Sequence, residues 1–174
     1  MRFRRTSGGW ALASGLVLAL ALTACNYGFR GGGGLPETIR TIYIAPFENQ
    51  TDKPELDPQV NRALTEQLPR ALGLRLAPER TADLVVRGSI SRYDDQAASY
   101  RPGATGDVSV EQHQVSITLT IQLIDVKENL VRYESQTVMG RGEYRPTSQS
   151  DEVARTRAIE QIIQQIVDGA QSQW

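Results

Sequence analysis

Four arginines stand where side chains can grip an anion. Arg92 and Arg101 precede the clearest strand pattern in the chain, Arg141 and Arg145 follow it, and Tyr93, Tyr100 and Tyr144 are interleaved with them. A guanidinium holds phosphate through parallel N–H donors, and a tyrosine ring adds an amphipathic surface beside it. That combination suits a phosphorylated amphiphile; scattered surface charge is the plainer alternative. Between the two arginine pairs, Ser116, Thr118, Thr120 and Gln122, with Gln114, make an uncharged polar stripe. A face that meets only water usually collects Lys and Glu. Uncharged hydrogen-bonding side chains suit docking against another polar wall, because their burial costs little once partners are found. An ordinary solvent face built from good strand formers also fits.

Catalytic chemistry finds little to use. His113 is the single histidine and has no Ser-His-Asp context, whereas a hydrolase needs a base beside its nucleophile. It reads as a solvated residue at a strand start. Asp94-Asp95 are neighbours in sequence, and adjacent side chains point apart, unlike glycosidase carboxylates that face each other across about 5–9 Å. They read as part of a solvated loop. One Cys and one His exclude a disulfide framework and a cysteine- or histidine-rich metal centre. No glycine-rich phosphate loop occurs. A net charge of −1 gives no basic face for nucleic acid. The inventory points to binding or scaffolding, with no enzyme activity, metal or cofactor.

The cysteine has its own chemistry. Arg2, Arg4 and Arg5 precede an apolar run from Trp10 to Leu22, which ends in Leu22-Thr23-Ala24-Cys25. A basic start and a short apolar run read as a secretory signal, and the run is short for a membrane span, which needs about 20 apolar residues. The ending resembles the lipobox of bacterial lipoproteins, in which the Cys becomes the fatty-acylated N-terminus. Residues 1–24 are then a cleaved signal peptide and Cys25 is the lipidation site. Removing three arginines leaves 16 basic residues against 20 acidic ones, a net charge of −4. A chain of that charge is held at a membrane by its lipid, not by electrostatics. Asn26, in place of Asp, resembles the sorting signal for export to the outer membrane in Gram-negative bacteria.

The elements that would position these residues follow. Residues 25–36 contain Gly31-Gly32-Gly33-Gly34 and read as a flexible tether spanning roughly 15–20 Å. Residues 37–174 read as one domain, as the chain length of 174 residues suggests. Ile39–Ala45 is β-branched and predicts a strand; Phe47–Glu55 reads as a loop. Asp57-Pro58 offers a helix start, and Val60, Leu64, Leu68 and Leu72 give helical spacing, with a kink or early end expected at Pro69. Leu84–Ile90 predicts a second strand and Asp94–Val110 a loop. Val115, Ile117, Leu119, Ile121 and Leu123 alternate with polar residues, a third strand. Leu130–Val138 returns as a fourth, and Gly140–Gln149 reads as a loop. Ser148 and Asp151 have capping-box spacing, ahead of a helix burying Ala158, Ile159, Ile162, Ile163, Ile166, Val167 and Ala170. The fold class is α+β in two layers: a four-stranded, mainly antiparallel sheet with two helices on one face.

Together these segments resemble the lipopolysaccharide-assembly lipoprotein family LptE. The resemblance is carried by Cys25-Asn26-Tyr27-Gly28-Phe29, Leu35-Pro36, Ile42-Tyr43-Ile44-Ala45-Pro46-Phe47-Glu48-Asn49, Ala82-Asp83-Leu84 before Gly88-Ser89-Ile90, and the closing helix. It covers nearly all of the chain after Cys25. It implies an outer-membrane lipoprotein on the periplasmic side, plugging the lumen of the LptD β-barrel and assisting lipopolysaccharide transport. A barrel lumen is polar, which the Ser/Thr/Gln stripe suits. The family's basic lipopolysaccharide contacts map onto Arg101, before Pro102-Gly103, and onto a region near the last helix. Here that region reads Thr147-Ser148-Gln149 with no base, leaving Arg145 as the nearest. The alternative is a periplasm-facing lipoprotein scaffolding another envelope complex without a lipid ligand.

Overall fold

A computed structural model describes residues 35–36, 38–102 and 108–172. The signal segment 1–24, the lipidation site Cys25 and the tether as far as Gly34 lie outside the described residues. Leu35, at the tether's end, already packs against the core, so the fold begins slightly before residue 37.

The elements run β1 (Thr41–Ile44), β2 (Glu48–Asn49), α1 (Leu56–Leu72), β3 (Arg75–Leu76), a 3₁₀ turn (Glu79–Thr81), β4 (Leu84–Pro102), β5 (Val108–Asp125), β6 (Leu130–Tyr144) and α2 (Asp151–Ser172). They form a six-stranded mixed sheet of order β3-β1-β4-β5-β6, with β2 also paired to β4. The α+β class therefore holds, but the four-stranded, mainly antiparallel sheet does not. β1 runs parallel to β3 and β4, and β2 parallel to β4. A strand–helix–strand crossover returns the chain in the same direction, and α1 makes that crossover between β1 and β4. The two-residue strands β2 and β3 are too short to show a period.

Two expected loops are largely strand, and the expected loop Phe47–Glu55 contains only the short β2. β4 continues through Asp94 to Pro102, and β5 begins at Val108. Their register shifts at Ile90/Arg92, Ala97/Ser99 and Ser99/Tyr100. Each bulge inserts one unpaired residue and flips the alternation, which hides the strand from a period-two reading. β6 likewise runs on to Tyr144 through Gly140 and Gly142. Those glycines let α2 approach: a Cβ on Gly140 would overlap the carbonyl oxygen of Ala158, and one on Gly142 that of Ala154.

α1 starts at Leu56, ahead of Asp57-Pro58, and buries Val60, Leu64 and Leu68. It does not end at Pro69 but runs to Leu72, where Gly73 (φ 70°) closes it in the left-handed conformation. Proline there, in the last turn, sacrifices one intrahelical bond and buries its ring. α2 buries all seven expected residues together with Ala154 and Arg155. The helix begins at Asp151 itself, so Ser148 lies ahead of its cap position, and the Asp151 carboxylate is held by Arg155. Both helices contribute to one core with Leu84, Val86, Ile90, Ile117, Leu119, Ile121 and Leu123. The other face of the sheet carries the polar stripe and, at the β5–β6 turn end, the row Tyr43, Val85, Ile124 and Val131.

Candidate functional site

β4 and β5 pair from Leu84↔Asp125 to Pro102↔Val108. At about 3.3 Å per residue, the hairpin carries its far end roughly 50 Å from the start of β4. The chain enters the fold at the near end, where Lys127 Nζ lies 3.5 Å from the Thr38 carbonyl oxygen. Arg101 sits at the far end.

There Arg101 and Arg145 line one pocket of about 310 Å³ with Ser109, Glu111, Thr147 and Ser148. An adjoining pocket of about 260 Å³ shares Arg145 and Ser148 and adds Tyr144, Glu143 and Arg157. Arg101 is paired with Glu111. Among the described residues neither Arg145 nor Arg157 pairs with a carboxylate; Arg157 donates to the Glu143 carbonyl at 3.0 Å. The cluster thus presents three guanidiniums and can bind an anion that displaces Glu111. Arg157 escaped the sequence reading, although it stands on the flank of an otherwise clear amphipathic helix.

Arg92 and Arg141 are not part of that end. They lie on the helix-free face and line a separate pocket of about 310 Å³ with Asp94, Gln96, Gln114, Ser116 and Met139. Arg92 is forked onto Asp94 at 2.5 and 3.3 Å, and this pair raises the guanidinium's proton affinity further. Arg141 meets the sulfur of Met139 at 3.5 Å. The four arginines therefore form two groups, not one.

The polar stripe is on the helix-free face, as the alternation requires, but part of its bonding capacity is used inside the sheet. Thr118 is buried. The Thr120 and Ser89 hydroxyls are 2.9 Å apart, and Gln122 donates to Glu134 at 2.9 Å. Ser116 and Gln122 remain half-buried. The neighbouring strands flank the stripe with charge: the register sets Arg92 opposite Thr118, Arg141 opposite Ser116 and Glu134 opposite Gln122.

The tyrosines divide too. Tyr100 is exposed beside Arg101. Tyr93 shares Lys53 as a cation over its ring at 5.6 Å. His113 is not simply solvated: its Nδ1 lies 2.8 Å from Asp95 and its ring lies against Tyr144, tilted by 39° with centroids 5.2 Å apart. Tyr144 donates its hydroxyl proton to Asp95 at 2.9 Å. Burial, reinforced by that carboxylate, pushes its phenol up to about 12; burial raises Tyr93 as well. Asp94 and Asp95 do point apart, one to Arg92 and one to His113, but from a strand and not from a loop.

The lipopolysaccharide-assembly family model LptE matches residues 39–169. No curated protein matches the chain. Among solved structures, the hypothetical protein CT253 from Chlamydia trachomatis is similar in fold, with TM-score 0.55, 11% identity, and coverage of 78% of this chain and 97% of that one. A putative lipoprotein from Caulobacter crescentus aligns at TM-score 0.48 and 15% identity over 75% of this chain and 88% of its own. A minor lipoprotein from Acinetobacter baumannii aligns at 0.43 and 15%, over 79% and 94%. The match to the family model spans β1 to nearly the end of α2, the whole sheet and both helices, and on that ground the chain belongs to the LptE family of lipopolysaccharide assembly.

Proposed function

We propose that this protein is an outer-membrane lipoprotein, acylated at Cys25 and facing the periplasm, which plugs and stabilises an LptD-type β-barrel and assists lipopolysaccharide on its way to the outer leaflet. Its role is non-catalytic. The observation that carries this reading is the separation of its two ends. The chain enters at one end of a hairpin roughly 50 Å long, and Arg101, Arg145 and Arg157 cluster at the other. A bilayer with its headgroups is about 40–45 Å thick. A domain held at the inner leaflet and standing in a barrel lumen therefore carries its arginines to the height of the outer leaflet. There they can hold lipid phosphates as the glycolipid passes. The stripe of Ser116, Thr118, Thr120 and Gln122, bordered by Arg92, Arg141 and Glu134, supplies hydrogen-bonding surface for a polar lumen wall.

The test is capture of the tagged, full-length protein from detergent-solubilised outer membranes. A large heat-modifiable β-barrel should come with it in stoichiometric amount. Recovery of a periplasmic complex without a barrel would replace this reading with that of a scaffold.

A further inference from the structure

One row of the helix-free face breaks its polar character. The register aligns Tyr43, Val85, Ile124 and Val131 across β1, β4, β5 and β6. All four are apolar, and Val85 is only 5% exposed although it faces away from the core. At the β5–β6 turn, at this same end of the sheet, the apolar surface comes out into solvent: Val126, Leu130 and Val131 are 48%, 47% and 45% exposed.

The charges around the turn are already matched. Lys127 pairs with Asp83 at 2.7 Å, and Arg132 with Asp125 at 2.9 Å and with Glu128 at 2.5 Å. The tip is an apolar surface whose bordering charges are paired, not a basic patch.

Covalent geometry says what lies near it. Lys127 touches the Thr38 carbonyl, so the chain from Cys25 enters the fold beside this turn. Thirteen peptide units separate Cys25 from Thr38, at most about 45 Å of chain. The arginine cluster is a further 50 Å or so along the hairpin. An acyl chain at Cys25 therefore holds the Val126/Leu130/Val131 tip within about 45 Å of the bilayer, and this tip is the end of the domain nearest the anchor.

We infer that the β5–β6 turn rests in the headgroup layer of the membrane, with Val126, Leu130 and Val131 as a shallow apolar foot that fixes the domain's tilt. This rests on the reading that Cys25 is acylated. Three side chains give a weak contact, but tethering makes it intramolecular and so raises its effective concentration. The foot sets orientation; the lipid supplies the affinity. Because its charges are paired, its insertion does not depend on anionic lipid.

The experiment uses the full-length protein as cells process it, carrying Trp174→Phe and Leu130→Trp, reconstituted in vesicles with shallow brominated phosphatidylcholine. A second sample carries Tyr100→Trp at the remote end. Emission from Leu130→Trp should be quenched about threefold more than from Tyr100→Trp, as expected for insertion of 5–10 Å, and equally in neutral and phosphatidylglycerol-containing vesicles. Equal quenching at both positions, or none at either in protein that floats with the vesicles, overturns the inference. So does blue-shifted Leu130→Trp emission before vesicles are added, or one that appears only with a co-purified barrel. If the protein does not float, the acylation reading has failed. The foot is then tested by coupling the Cys25 thiol to a maleimide phospholipid, with the same two outcomes.

Discussion

The side-chain oxygen Oε1 of Gln161 accepts the backbone N–H of Arg141 at 2.7 Å, so α2 closes the free edge of β6 with side chains. Gln165 donates to the Met139 carbonyl at 2.8 Å, and Arg157 to the Glu143 carbonyl at 3.0 Å. The three donors and acceptors stand four residues apart on one flank of α2. They meet alternate residues of β6, whose outward groups would otherwise be unpaired.

Removing this seal should cost stability and expose an edge. Gln161→Ala with Gln165→Ala should lower unfolding stability by about 1–3 kcal/mol in urea titration, about 1 kcal/mol for each bond lost. It should also promote self-association seen by light scattering, because an uncovered edge strand pairs with other chains. Unchanged stability and a monodisperse double variant would show that these bonds exchange freely with water.

The glycines beneath α2 make a sharper prediction. Gly140→Ala or Gly142→Ala places a methyl group against the Ala158 or Ala154 carbonyl. Backbone cannot rotate away as a side chain can, so each change should cost about 3 kcal/mol. Gly73→Ala meets no neighbour but keeps φ at 70°, and should cost nearer 1 kcal/mol. Thermal or urea unfolding of the three variants should rank them in that order.

Regular segments of the fold could be read in the sequence, and so could Arg101 and Arg145, which share a pocket, but not the grouping of the remaining arginines. The stripe of α2 and the alternation of β5 each follow one uninterrupted period, so their buried faces were legible down to Ala158, Ile166, Ile117 and Leu123. β4 was legible only to Ile90, because the bulge that follows reverses which residues face the core. That reversal turns Tyr93 and Asp95 inward and leaves Arg92 outward, so the four arginines looked like one cluster and are two. Arg155 is buried against Gln59 of α1 at 3.0 Å. Its partner lies 96 positions away, beyond any local pattern. The spacing of Arg157, Gln161 and Gln165 was a readable signal for an edge seal, but only with β6 already known to be an edge.

Acid stability should be governed by Asp83. Its carboxylate accepts from Lys127, from the Arg40 and Thr41 amides and from the Thr41 hydroxyl, which hold it well below the usual carboxylate range. Asp125 is also lowered; burial opposes its ionisation, but Arg132 and the Glu128 and Lys127 amides outweigh that. A depressed carboxylate contributes stability at neutral pH that disappears as pH falls from its unfolded value, about 3.9, through its folded one. Wild-type stability should therefore decline between about pH 5 and pH 2. Asp83→Asn should be less stable at pH 7 and have a flatter acid limb. Parallel limbs in a urea-unfolding series across that range would remove Asp83 from the account.

The division of the arginines separates two consequences for ligand binding. Arg101 and Arg145 share a pocket at the remote end of the hairpin, whereas Arg92 is already forked onto Asp94. Arg101→Ala with Arg145→Ala should weaken lipopolysaccharide binding by about tenfold or more at low salt, since charge-assisted bonds contribute about 1.5–3 kcal/mol each. Arg92→Ala should change it little, because Arg92 lines a separate pocket on the helix-free face. Raising the salt concentration should weaken wild-type binding and narrow the gap to the double variant. Equal affinity of the double variant and wild type at low salt would mean that this end of the hairpin does not hold the glycolipid's phosphates. Capture of the β-barrel should survive in the Arg101→Ala, Arg145→Ala double variant, because the polar stripe around Ser116 and Gln122 and its border are left intact, and that makes docking and lipid contact separable.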